Sequence, residues 1–154
     1  MDLSYGSEYD AFREEVKSFI LSHKHKQPKP GDGIKSQAMR DWQSLLIEHG
    51  YHSRTIASEY GGYGAEPDII KSRIIAEEFG AERVHRGFNG QGVTMLTPVL
   101  LEMGTEEQKK AFVEPTIKAD MIWCQGYSEP GAGSDLASLT TKAVSYTHLR
   151  AHET

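Results

Sequence analysis

Apolar residues recur at three- and four-residue intervals through most of this chain, and the recurrence stops near residue 120. That periodicity constrains the fold more than any other feature. It gathers the apolar side chains of each segment onto one face of an α-helix, whereas a strand needs alternation. Tyr9, Phe12, Val16, Phe19 and Ile20 form the first stripe. Ser7 is placed to cap that helix, and Glu8 and Asp10 in its first turn suit the positive end of the helix dipole. Pro28, Pro30, Gly31 and Gly33 then break the chain into a loop. The spacing predicts a second helix from about Ser36, with Met39, Trp42, Leu45 and Leu46 inward and Gly50 as its stop. After the glycine-rich "SEYGGYGAEPD", Pro67 opens a third helix at its first turn, Ile70, Ile74, Ile75 and Phe79 face inward, and Gly80 ends it.

"GVTMLTPVLLEMG" reads as a buried helix that starts or kinks near Pro98. Thr105 and Gln108 form a capping box at the head of the next helix. After Asp120 the texture changes. "MIWCQGY" is short, apolar and aromatic, and reads as a strand; "LASLTTKAV" reads as a second. About five helices followed by the opening of a β region imply separate domains rather than α/β alternation. The expected class is mainly α, with a helical domain over 1–120, the start of a β domain over 121–143, and a tail over 144–154.

With 154 residues, 38% hydrophobic and 25% charged, the chain can bury a core, which excludes wholesale disorder. A net charge of −5 argues against nucleic acid as the main partner. The one basic cluster, "HKHKQPKP", reads as a solvated loop. A single cysteine, Cys124, forbids an intramolecular disulfide; within an apolar strand it reads as a buried small residue, not a nucleophile. The amino terminus shows no signal-peptide pattern and no apolar run suffices for a membrane span, so a soluble cytoplasmic protein is expected. The seven histidines are dispersed, and no zinc site is expected. Glu77 and Glu78 diverge by about 100° on a helix and read as a solvated face, not a carboxylate pair.

"CQGYSEPGAGSD" is the stretch richest in turn formers and small hydroxyls. A dinucleotide fingerprint fails, because Leu136 stands where the third glycine belongs; a P-loop fails for want of Gly-Lys-Ser/Thr. Pro130-Gly131 suits the centre of a type II turn. The glycines allow a ligand close to the backbone, successive N–H groups can cradle an anion, and Ser128 and Ser134 add donors. On these features alone a ligand loop and a simple tight turn both stand.

"WCQGYSEPGAGSDLASLTTKA" closely resembles the flavin-binding signature of acyl-CoA dehydrogenases. "SEYGGYG" resembles their first glycine loop, and "GTEEQKKAFVEPTI" the helix before their middle domain; the likeness runs from the first helix to about Ala143. The motif often carries an aliphatic residue where Tyr127 stands. The resemblance implies a helical domain, a middle β domain and a C-terminal helical domain, and α,β-dehydrogenation of an acyl-CoA thioester with FAD as cofactor. Gln125, Tyr127, Ser128 and Ser134 would line the flavin, Tyr127 and Ser128 at its polar edge, and Ser134 would lie near phosphates or the acyl-CoA. No catalytic residue is assigned: the family's glutamate base comes from the C-terminal domain, and Glu129 is a loop-fixing residue. An electron-transfer flavoprotein or similar acceptor, and homo- or hetero-oligomers, are the implied partners of the parent protein. The isolated 154 residues are expected to be inactive.

The tail "SYTHLRAHET" departs from the family pattern, reads as adaptor-derived sequence and receives no function. Two alternatives accompany this reading. One is a same-fold acyl-CoA oxidase or flavin monooxygenase; the other is a small helical interaction module without catalysis.

Overall fold

The computed structural model describes residues 5–126 and 128–141. Among them are five α-helices: α1 Ser7–His23, α2 Gln37–Glu48, α3 Ile69–Ala81, α4 Thr97–Met103 and α5 Glu106–Ile117. The chain forms two compact units that divide between Trp123 and Cys124. All five helices belong to the first.

The apolar stripes account for the packing. Phe12, Val16, Phe19 and Ile20 of α1 meet Trp42 and Leu46 of α2, and Ile74, Ile75 and Phe79 of α3, in one core. A second cluster joins Ile47, Tyr60, Val113 and Ile117, with Leu100 and Leu101 of α4 against it. Fully burying a side chain of this size stabilises by about 1.5–3 kcal/mol, so these stripes carry the fold.

Helix starts follow the capping chemistry with two revisions. Ser36 accepts the Met39 N–H at 3.1 Å, and Thr105 and Gln108 form the reciprocal box. Ser7, however, is the first residue of α1; Gly6, at φ 96°, enters the helix without a side-chain cap. Pro67 lies outside α3. The cap is Asp68, whose carboxylate accepts the Ile70 and Lys71 N–H groups at 2.9 Å each. A carboxylate at the cap satisfies two orphan donors, which a proline in the first turn cannot do.

Helix ends reveal a repeated device. After α2, Tyr51 N–H bonds the Leu46 carbonyl and Gly50 N–H that of Ile47, with Gly50 at φ 72°. This is a Schellman motif with its usual glycine. The same pair of bonds closes α3 around Arg83 (φ 53°) and α5 around Ala119 (φ 62°). Gly80 therefore does not end α3; it lies inside the helix. The left-handed residue costs about 1–2 kcal/mol without glycine. Burial of Val84 next to Arg83, and of Ala119 itself, offsets that cost.

Glu77 and Glu78 are not a solvated face. The forked guanidinium of Arg13 on α1 takes both, Glu77 at 2.9 Å, and clamps α1 to α3. Two carboxylates that diverge on one helix are reached by one planar fork with two separate N–H arms. Pro98 does sit in the first turn of α4, and a wide π-type turn, Gly92–Leu96, precedes it. The helix is not buried: Met95, Val99 and Met103, spaced by four, are 50%, 54% and 80% exposed. Only its other face packs on α5.

The core of the first unit has a polar centre. Gln43 is fully buried within the α2 stripe. Its amide nitrogen donates to the Ile117 carbonyl at 2.7 Å and lies 3.3 Å from that of Phe88, and its oxygen accepts the Phe88 N–H at 2.8 Å. His52, also buried, reaches Ser53 Oγ at 2.8 Å, and Asn89 Oδ1 and Gln43 Nε2 at 3.1 Å. Burial pushes the His52 imidazole below its ordinary value, so it stays neutral. Gly87 (φ 79°) passes so close that a Cβ there would stand 2.6 Å from Gln43 Oε1.

The second unit departs most from expectation. Residues 121–126 form no strand, Leu136–Ser138 form one turn of 3-10 helix, and the only strand-like pairing among the described residues is a Glu129–Ala132 bridge. A strand exists only as a paired structure, and the described residues of the two predicted segments find no ladder. Residues 142–144 of the second predicted strand lie outside the described residues. Cys124 is exposed, because the strand that was to bury it is absent.

Candidate functional site

The candidate loop starts from an anchored root. Trp123 Nε1–H donates to Thr116 Oγ1 at 2.8 Å, and the Thr116 hydroxyl donates to the Phe112 carbonyl at 2.6 Å. The Trp123 ring stands edge-on to Phe112 at 5.8 Å. Gly92 passes against this pair: a Cβ there would press into the Trp123 ring and lie 2.8 Å from Thr116 Cγ2. The wide turn before α4 and the last turn of α5 thus meet at one tryptophan. This places Trp123 in the packing of the first unit.

From Cys124 onward the loop is held by its own side chains. Ala132 N–H closes on the Glu129 carbonyl at 3.0 Å around Pro130-Gly131. Gly131 is not among the residues of positive φ, so this is not a type II turn. Proline at the second position serves other turns equally well, and glycine there permits positive φ without demanding it. The Ser138 hydroxyl lies 2.9 Å from the carbonyls of both Gly131 and Asp135.

Glu129 is the most constrained group among the described residues of this unit. Its carboxylate accepts the Thr140 N–H at 3.0 Å and hydroxyl at 2.7 Å, the Thr141 N–H at 2.6 Å, and the Thr141 hydroxyl. The Thr141 hydroxyl, then the Thr140 hydroxyl and N–H, hold its pKa down at about 2. A carboxylate so saturated is a poor proton acceptor. It ties residue 129 to residues 140 and 141 and closes the loop.

Gln125, Ser128 and Ser134 are all exposed; Tyr127 lies outside the described residues. A Cβ added at Gly126, Gly131 or Gly133 would meet nothing within 4 Å, so a ligand can approach the backbone at all three. Exposed hydroxyls and approachable N–H groups suit an electron-rich ring edge or a phosphate, and this donor set fits a flavin nucleotide. Among the described residues no group of three His, Cys, Asp or Glu side chains comes together to hold a metal.

Sequence reasoning missed the residues that shape the loop. Ser138, Thr140 and Thr141 read as strand formers, yet their hydroxyls are spent on locking it. Gln43 was missed for a different reason. It sits where the spacing of Met39, Trp42 and Leu46 calls for an apolar residue, and a glutamine in that slot was itself the signal.

The first unit is a helical domain with a capped, two-cluster core. A sequence profile described as "Acyl-CoA dehydrogenase, N-terminal domain" matches residues 6–120. The chain belongs to the acyl-CoA dehydrogenase family, which uses FAD. It is 35% identical over 116 residues to acyl-CoA dehydrogenase IpdE1 of Mycolicibacterium smegmatis, covering 73% of this chain and 29% of that protein. It is 47% identical over 83 residues to acyl-CoA dehydrogenase FadE34 of Mycobacterium tuberculosis, covering 54% and 11% respectively. Among solved structures it superposes on the Tcur3481-Tcur3483 steroid ACAD with a TM-score of 0.60 at 29% identity, over 92% of this chain and 37% of that one. The ChsE4-ChsE5 complex from Mycobacterium tuberculosis gives 0.59 at 27%, over 92% and 35%. The chain therefore spans about a third, or less, of the length of these relatives. No described helix is long and apolar enough to cross a membrane.

Proposed function

We propose that these 154 residues are the N-terminal part of an FAD-dependent acyl-CoA dehydrogenase that introduces an α,β double bond into an acyl-CoA thioester. The family match over residues 6–120 carries the reading. The exposed serines and open glycines of the loop support it. The domain plan is a helical domain over 1–120, the start of the middle β domain over 121–143, and a tail without function over 144–154.

Gln125, Tyr127, Ser128 and Ser134 hold the flavin, and Ser134 also meets the acyl-CoA. When bound, the flavin supplies the acceptor for the hydride that leaves the β-carbon. The serine hydroxyls and loop N–H groups donate to its polar edge, where negative charge develops on reduction. Glu129 does not serve as the base, since four hydrogen bonds hold it ionised and occupied. The base belongs to a part of the enzyme beyond these residues, so the 154-residue chain is inactive by itself. The reading includes a cytoplasmic location, an electron-transfer flavoprotein or similar acceptor, and assembly into an oligomer, as the heteromeric ChsE4-ChsE5 relative does.

The test is the visible flavin absorbance of the protein encoded by the extended reading frame. Anaerobic addition of acyl-CoA thioesters should bleach it, while the 154-residue chain shows no turnover. No bleaching across several acyl chain lengths, or a gene that stops near Thr154, overturns the reading.

A further inference from the structure

We propose that the exposed basic face formed by residues 24–29 and 82–86 docks a short acidic segment of a partner protein. This inference does not depend on the flavin reading.

The two segments are stitched side by side. Lys24 Nζ pairs with Glu82 at 3.0 Å, and the Gln27 side-chain oxygen accepts the His85 N–H at 2.8 Å. The ties step by three residues along each segment, so the two run in the same direction. The His85 carbonyl accepts the indole N–H of the buried Trp42 at 2.7 Å, and Pro28 and Val84 are buried. The core therefore fixes the backbone under this face. The run His23–Pro30, which by itself reads as a solvated loop, is one half of a rigid surface.

Charge gathers here against the trend of the chain. The two segments hold five of the 17 Lys and Arg but one of the 22 acids, Glu82, while the whole chain carries −5. Asp32 adds one carboxylate at the edge, where it accepts the Lys29 N–H at 2.7 Å. Lys26, Lys29, Arg83 and Arg86 are exposed and make no ion pair among the described residues. Arg83 is the telling one. It sits at φ 53°, a left-handed backbone that glycine adopts at no steric cost. Burial of Val84 lets the turn close but does not favour arginine over glycine there. An unpaired guanidinium held against a backbone penalty points to a use for its side chain.

The chemistry of the face selects the partner. Guanidinium forks take carboxylates through two parallel N–H bonds, and the lysines add charge without a fixed geometry. The rest of the chain has 12 Lys and Arg against 21 acids. An extended polyanion, such as a nucleic acid duplex or an anionic bilayer, would face those acids as well. A short acidic segment engages the basic face alone.

A fluorescent octaglutamate peptide is the probe. It is titrated with the chain at low and at physiological ionic strength, and binding is followed by anisotropy. Binding should saturate, weaken with salt, and exceed binding to phosphatidylglycerol vesicles or duplex DNA under the same conditions. Arg83→Gly together with Arg86→Gln should weaken it about fivefold. Lys110→Gln together with Lys118→Gln, the same charge change at α5, should leave it within about twofold. Arg83→Gly alone should weaken the peptide about twofold and leave the thermal unfolding midpoint unchanged or higher, since glycine suits the left-handed position. No saturable binding, equal losses in the two double variants, tighter binding to vesicles or DNA, or a lower midpoint for Arg83→Gly overturns the proposal.

Discussion

The buried Gln43–His52 centre and the exposed Glu129 clasp are built on the same plan. In each, one side chain gathers several donors and acceptors and joins segments far apart in sequence: 43 to 88 and 117 in the first, 129 to 140 and 141 in the second. They differ in access to water. Around Gln43 a lost partner leaves a dry amide or carbonyl, at a cost of about 1–3 kcal/mol for each group stranded. Around Glu129 water replaces the lost partner at once. A hydrogen-bond count therefore says little about what a cluster contributes; its surroundings decide. The two are also opposite in how they show in sequence. The exposed clasp sits in the most conspicuous motif of the chain, while the buried centre is one glutamine in an apolar stripe.

The largest effect should come from Gln43→Leu. It keeps the volume but strands the Phe88 N–H, the Ile117 carbonyl and His52, and should cost about 3 kcal/mol in urea unfolding. A loss under about 1 kcal/mol would mean that water reaches the centre and would erase the contrast with Glu129. Next is Gly87→Ala, at φ 79° with its new Cβ against Gln43 Oε1. It should cost about 2 kcal/mol by the same measurement.

Acid titration separates the two clusters by pH. Folded His52 has its pKa lowered from 6.5, so its contribution is complete above that value. It is lost as pH falls below 6.5, because the unfolded imidazole takes up a proton that the folded one refuses. The slope is at most about 1.4 kcal/mol per pH unit. Glu129, lowered from 4.5 to about 2, keeps its clasp above 4.5 and loses it only as pH falls toward 2. Global stability should thus decline through His52 as pH falls below 6.5, and His52→Gln should flatten that part of the curve. The smallest effect is that of Glu129→Gln. The global unfolding midpoint should not move, while amide exchange at Thr140 and Thr141 accelerates. A shifted midpoint would show that the clasp supports more than its own loop.

Much of the fold was legible. The stripes of α1, α2 and α3, the Ser36 cap, the Thr105–Gln108 box and the Gly50 stop all rest on local chemistry, and the structure has each of them. The misses share one cause. Arg83 and Ala119 occupy left-handed positions that local rules reserve for glycine, because burial beside them outweighs the backbone cost. Arg13 recruits Glu77 and Glu78 from a helix more than sixty residues away. Among the described residues of the two predicted strands there is no ladder, and Thr140 and Thr141 hold Glu129 instead. For the loop, sequence supplied the motif and the candidate donors Gln125, Ser128 and Ser134; the exposure of those donors was not readable from it.

By itself the sequence determined which segments coil, which faces turn inward and which family signature the chain bears. These depend on contacts within a few residues, where spacing and side-chain chemistry suffice. Tertiary structure alone decided that a glutamine and a histidine share the dry centre of the core and that α4 leaves a face exposed. It also decided that Arg83 and Ala119, not glycines, take the left-handed positions that close α3 and α5. Each of these outcomes balances a local penalty against burial supplied by distant residues, and that burial exists only once the helices have packed.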